Sequence, residues 1–139
     1  MKTIQFNYQT LLASLLLVFM SHLGFSQLAF DKAPTPIAKL SLESTTIDYG
    51  VVAQNSDGTR TLSFTNTGDA PLVISKVKSS CGCTVPSYSK TPVQPGEKGE
   101  VTVSYDTKRL GKFTKTITIT SNAEQPVHTF TIKGEVVAN

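Results

Sequence analysis

A chain of 139 residues, 39% hydrophobic and 17% charged, is sized for one globular domain and is too apolar for intrinsic disorder. Its formal charge of +3 is spread over interleaved acids and bases, with no basic stripe and no basic helix, which argues against nucleic-acid binding driven by phosphate contacts. Tryptophan is absent, so the core volume has to come from Val, Ile, Leu, Phe and Tyr.

The first element is MKTIQFNYQTLLASLLLVFMSHLGFSQ. Lys2 beside the N-terminal amine, an apolar run from Leu11 to Met20, and small residues at Gly24 and Ser26 follow the order of a secretory signal peptide. The run falls well short of the ~20 residues that a membrane span needs. Residues 1–26 are therefore expected to be removed after Ser26, leaving a mature chain that begins at Gln27 and has no membrane span. Its destination is the periplasm, the cell surface or the medium. Loss of Lys2 takes the formal charge to +2, and His128 becomes the single histidine. Export also places the cysteines where disulfides are permitted.

Residues 27–43 hold Pro34 and Pro36 and no clear period. They are expected to form a lead-in, with a short edge strand at Leu40–Leu42. The domain proper is expected over 44–138, where short alternating runs are punctuated by turns. In TTIDYGVV the alternation places Ile47, Tyr49 and Val51 on one face. QNSDG (54–58) is a turn, and RTLSFTN then points Leu62 and Phe64 inward. NTGDAP (66–71) is the next turn. In PLVISKVK, Leu72 and Ile74 share a face but Val77 falls on the other. A bulge near Ser75–Lys76 would repair this and leave Lys76 and Lys78 in solvent. VPSYSKTPVQPGEKG (85–99) is expected to be a long proline-rich connection. VTVSYD points Val101, Val103 and Tyr105 inward, KFTKTITITSN points Phe113, Ile117 and Ile119 inward, and HTFTIKGEV does the same for Phe130 and Ile132. Period-two alternation between Gly, Asn, Asp and Pro breaks marks strands, and no window carries the helical period. The prediction is an all-β, antiparallel β-sandwich of about seven strands.

Both cysteines of the chain sit in SSCGCT, separated by Gly82 alone. Three readings are open. A Cys81–Cys83 disulfide closes a three-residue loop, for which the chain-entropy estimate is only ~1.6 kcal/mol, against ~3 for fifteen residues. Two Cα atoms at i and i+2 stand near ~7 Å apart in an extended chain, beyond the usual disulfide span, so Gly82 is expected to fold the chain back through a positive φ. Such a bridge reads as a redox element before it reads as a brace. In the second reading, an extended segment puts both thiolates on one side as a soft clip for Cu(I) or Zn(II). A closed zinc site would need more ligands than Cys81, Cys83 and His128 supply. In the third, the thiols are small residues packed near a strand end.

The remaining residues carry no catalytic set. His128 opens the last strand and reads as a strand-edge residue. Asp106, Glu97 and Glu100 surround a turn and a strand start, where solvated charge explains them. The glycines punctuate hairpins and cradle no phosphate.

Ser80–Thr84, the Tyr49-Gly50 turn, Asn66-Thr67-Gly68 leading to Pro71-Leu72, Pro95-Gly96, Tyr105-Asp106, Gly111, Lys115 to Ile119, Ser121-Asn122 and Lys133-Gly134-Glu135 together resemble the exported bacterial family known as domain of unknown function fifteen seventy-three. The likeness spans roughly residues 44–137. It implies an immunoglobulin-like sandwich, akin to pilus-chaperone and cilia-associated domains, and no established reaction or cofactor. On this reading the chain is a non-enzymatic exported binding or structural module. Its protein partner would add a strand to a free sheet edge. The rival is a thiol–disulfide or copper/zinc-handling protein that acts through Cys81 and Cys83.

Overall fold

Among the described residues the alternating apolar runs form strands, and the strands stack as two four-stranded sheets. The computed structural model describes residues 33–139, so the expected signal segment and residues 27–32 of the lead-in lie outside the described residues. The strands are β1 (Leu40–Leu42), β2 (Thr46–Ala53), β3 (Thr59–Asn66), β4 (Ile74–Ser79), β5 (Thr84–Tyr88), β6 (Lys98–Tyr105), β7 (Gly111–Ser121) and β8 (Val127–Val137). One sheet has the order β1-β3-β6-β5 and the other β2-β8-β7-β4. All neighbours are antiparallel except β2 and β8, which run parallel because the chain changes sheets between β1 and β2. The residues from Thr35 to Asn139 form one unit. Among the described residues no helix is long and apolar enough to cross a membrane.

The inward positions form the core as expected. Phe64, Leu72, Val101, Val103, Ile117, Ile119, Phe130 and Ile132 are all fully buried between the sheets. Each contributes roughly 1.5–3 kcal/mol of apolar burial. The β4 bulge falls where the pattern placed it: the register shifts between Ile74 and Lys76, Val77 turns inward, and Lys76 and Lys78 stay exposed.

Two expectations are corrected. Val51 does not face the core but is 68% exposed. Gly50 takes φ 64°, and Tyr49 and Gly50 together oppose the single residue Gly134, so the alternation in β2 reverses and Val52 packs inward instead. A non-glycine residue at Gly50 would be strained in this conformation. Asp48 fastens the bulge by accepting the Gly50 N–H at 2.8 Å and meeting Lys133 at 3.3 Å. Those two contacts, the amide first, hold its carboxyl below the ordinary aspartate value. The second correction is β5, an eighth strand inside the stretch expected to be a connection. Pro86 reads as a strand breaker, but β5 is the edge of its sheet, and a proline is tolerated where its missing N–H faces solvent.

Two polar groups tie the layers. Tyr49 reaches across the sandwich from β2, and its hydroxyl donates to the Gly58 carbonyl at 2.8 Å. Its ring stands edge-on to Phe113 at 5.3 Å, with the Arg60 guanidinium 4.7 Å above its centre. Gly134 makes room for this cluster, since a Cβ there would fall 2.7 Å from Tyr49 Cβ. Asn66, at the end of β3, is completely buried and uses its whole side chain. Its amide donates to the Ala70 and Val93 carbonyls at 2.8 and 2.9 Å, and its oxygen accepts from Gly68 and Lys39 N–H at 3.0 and 3.3 Å.

Asn66→Ala strands several of these buried partners together. It is expected to lower unfolding stability by about 2–4 kcal/mol, read from urea midpoints. Burial also raises the Tyr49 phenol from 10.0 to about 12. The group ionises more readily in the unfolded chain, so stability is unaffected by it below pH 10 and is lost as pH rises from 10 towards 12. In Tyr49→Phe this alkaline part of the pH–stability curve is expected to flatten.

Candidate functional site

The cysteines lie in the link between β4 and β5, where the chain leaves one sheet for the other. Both strands are sheet edges on the same flank. The link is pinned at each end. Ser80 exchanges bonds with Thr116 of β7: its N–H donates to the Thr116 carbonyl at 2.9 Å, and its hydroxyl accepts the Thr116 N–H at 3.1 Å. On the other side the Cys83 carbonyl accepts the Asp106 N–H at 2.9 Å. Thr84, the first residue of β5, is buried.

Between these anchors Cys81 and Cys83 are joined by a disulfide, with Cα atoms 5.4 Å apart. The chain is therefore turned, not extended, at Gly82. Gly82 does not take the positive φ expected of it: only Gly50, Gly96 and Gly111 do so among the described glycines. A Cβ on Gly82 would meet nothing within 4 Å, so the turn is sterically open at its tip.

The two sulfurs have unequal surroundings. Cys83 is 8% exposed and belongs to the core. Cys81 is only partly buried. Its Sγ accepts the Cys83 N–H at 3.3 Å and lies 3.8 Å from the Thr84 hydroxyl. With the sulfurs bonded to one another, neither is a free thiolate, and a soft ion would have to be held by the reduced pair. Among the described residues no three His, Cys, Asp or Glu side chains gather as a metal-binding group. His128 sits in β8 opposite Ile119 of β7, half-buried, with its Nδ1 unpartnered. Glu97, Glu100 and Asp106 are exposed, and Asp106 pairs with Arg109 at 3.5 Å.

The profile of a family described as "Protein of unknown function (DUF1573)" matches residues 40–136. The chain belongs to this family. Solved structures share its fold. A protein of unknown function from Porphyromonas gingivalis W83 is 20% identical with a TM-score of 0.60; the match covers 77% of this chain and 50% of that one. The PapD-like domain 7 of human CEP192 is 11% identical with a TM-score of 0.62, covering 85% of this chain and 99% of that one. The CupB2 chaperone of Pseudomonas aeruginosa is 14% identical with a TM-score of 0.52, covering 68% of this chain and 54% of that one. This chain thus spans only about half of the bacterial proteins, and at these identities the likeness is one of fold. None of the curated proteins matches it in sequence. The DUF1573 chain is an immunoglobulin-like, PapD-like sandwich with a closed Cys-Gly-Cys turn on one flank.

The missed feature of this flank is β5. Its free edge is set by the ladder: the Asp106 N–H bonds to Cys83, so Val85 and Ser87 also turn their main chain towards β6. Thr84, Pro86 and Tyr88 turn theirs outward. Val85 leaves its side chain 67% exposed. The Tyr88 hydroxyl crosses to β4 and donates to the Ser75 carbonyl at 3.0 Å, capping the bulge.

If the short bridge is not a brace, the Cys81→Ser, Cys83→Ser double variant still unfolds cooperatively. It is expected to lose no more than ~1.6 kcal/mol in a urea titration. A larger loss would make the turn a structural staple.

Proposed function

We propose that the mature chain is a non-enzymatic, exported binding module whose protein partner adds a strand to the β5 edge. The observation that carries the reading is that edge itself: outward carbonyls of Thr84, Pro86 and Tyr88, outward amides of Thr84 and Tyr88, and an exposed Val85 in a short strand that has no neighbour beyond it among the described residues. Main-chain hydrogen bonds supply affinity in such an arrangement, and alternate side chains supply specificity.

The other edges are poorer acceptors. β1 has three residues, β2 is interrupted by the Gly50 bulge, and β4 has its Ser75 carbonyl capped and two exposed lysines beside it. Charge and bulges of this kind keep edges from pairing. Pro86 has the complementary effect on β5. It removes one donor, so two copies of β5 cannot pair with a full set of bonds, while a partner strand can still donate to its carbonyl. A protein described as a chaperone shares the fold, which agrees with a polypeptide ligand. The outer face of this sheet carries a shallow polar groove lined by Ser87, Tyr88, Lys98, Glu100 and Thr102, where partner side chains would rest.

A photo-reactive residue placed at Ser87 of the exported full-length protein is expected to give a discrete adduct with the partner. Val85→Lys should reduce that adduct about tenfold, the effect of losing ~1.4 kcal/mol of binding. As a surface change it should alter stability by no more than ~0.5 kcal/mol. Equal adducts from Thr114, on the other sheet, or an adduct indifferent to Val85→Lys, would overturn the proposal.

A further inference from the structure

The Cys-Gly-Cys turn is not used by strand addition, yet its construction is directional. We propose that Cys81–Cys83 is a thiol–disulfide exchange site for exported dithiol polypeptides, in which Cys81 carries the mixed disulfide and Cys83 is the resolving thiol.

Exchange proceeds by in-line attack of a thiolate on one sulfur, so access decides which sulfur is attacked. Cys83 is a core residue at 8% exposure, enclosed before the buried Thr84. Cys81 is partly exposed and is followed by Gly82, which carries no side chain and around whose missing Cβ no other part of the described chain beyond its two neighbours lies within 4 Å. An incoming chain can therefore reach Cys81 and not Cys83. This gives Gly82 a reason that backbone geometry does not, since its φ needs no glycine.

The hydrogen bonds have the same direction. The donors at this site, the Cys83 N–H at 3.3 Å and the Thr84 hydroxyl at 3.8 Å, both address the Cys81 sulfur. Donors aimed at a sulfur favour its thiolate, which is the form that attacks and the form that leaves. Closing only three residues, the bridge adds little to folding, so opening it leaves the sandwich standing.

The steps balance as follows. A partner thiolate attacks Cys81 Sγ; the Cys81–Cys83 bond breaks, a partner–Cys81 bond forms, and Cys83 leaves as a thiolate that takes up a proton. The partner's second thiolate then attacks its own sulfur in the mixed disulfide. The partner disulfide forms, and Cys81 leaves as the thiolate held by the Cys83 N–H and the Thr84 hydroxyl. Two electrons pass from the partner dithiol to the turn, and both partner thiol protons end on Cys81 and Cys83 or in solvent. Run backwards, the reduced turn attacks a partner disulfide through Cys81, and Cys83 closes on Cys81 to release it.

The test uses the mature protein, reduced and freed of reductant, with an aromatic disulfide that liberates a coloured thiolate. Wild type is expected to release two coloured thiolates per chain and to return, by intact mass, to the bridged form with no adduct. Cys83→Ser should release one and keep a stable adduct on Cys81. Cys81→Ser should react at least ~10-fold more slowly, because its thiol is buried. In denaturant the two single variants should react alike, which separates burial from intrinsic reactivity. Brief alkylation of reduced wild type, read by peptide mass, gives the same order without any substitution: Cys81 is modified before Cys83. Equal native rates for the two sulfurs, alkylation of Cys83 first, or reduction of the native bridge only upon global unfolding would each overturn the assignment. Val85→Lys should leave the stoichiometry and the order of Cys81 before Cys83 unchanged whatever its effect on rates, so failure of the exchange site and failure of the β5 edge are told apart.

Discussion

The satisfied burial of Asn66 is the constraint on which the rest of the sandwich depends. A primary amide taken out of water costs several kcal/mol unless each of its donors and acceptors is met. Asn66 meets them with main-chain groups from three separate places: the approach to β1, the turn that follows β3, and Val93, while its own main chain exchanges bonds with the Gly96–Glu97 turn before β6. One residue thereby sets where four segments lie. The segment between Ala70 and Val73 is fixed a second time by Asn122, which accepts the Val73 N–H at 2.7 Å and donates to the Pro71 carbonyl at 3.0 Å. Leu72 is buried between these two asparagines, so apolar packing and amide geometry demand the same arrangement.

The opposite flank is organised by different means. There the chain passes from β4 to β5 with no buried asparagine: Ser80 and Cys83 anchor the link to one sheet each, and the Tyr88 hydroxyl joins the two sheets by a single hydrogen bond. Beside that core and asparagine turn, closure of a three-residue loop contributes little, about 1.6 kcal/mol. The bridge is therefore free to be judged by its surroundings, and those are asymmetric: one sulfur in the core, the other at an open turn. The strand that follows is also the edge with a bare apolar side chain. Binding and sulfur chemistry would share one side of the molecule while resting on different residues.

Much of this was legible in the order of residues. Residues such as Phe113, Ile117, Ile119 or Val101, Val103, Tyr105 keep one period-two phase, and each ended in the core. The β4 bulge was legible too, because Lys76 and Lys78 need solvent while Leu72, Ile74 and Val77 are apolar. Val51 and β5 were not legible. A reversal of face at Gly50 needs a residue pair to oppose Gly134 of β8, a partner more than eighty positions away. Pro86 counts against a strand until it is known that no strand lies beyond it. At the site, SSCGCT announced the thiols, but the spacing left three readings open: a disulfide, a soft-metal clip and simple packing.

The sequence alone determined the class of the fold, since period-two alternation between turn residues points to stacked sheets, and it also located the two sulfurs. Only the tertiary structure decided which face Val51 takes, that residues 84–88 form a free edge, and that Cys81 and Cys83 differ in exposure. The physical reason is the same each time. Periodicity is a local property carried by neighbouring residues, whereas an edge, a reversed face and a shielded sulfur depend on what packs alongside, and that partner is supplied by distant parts of the chain.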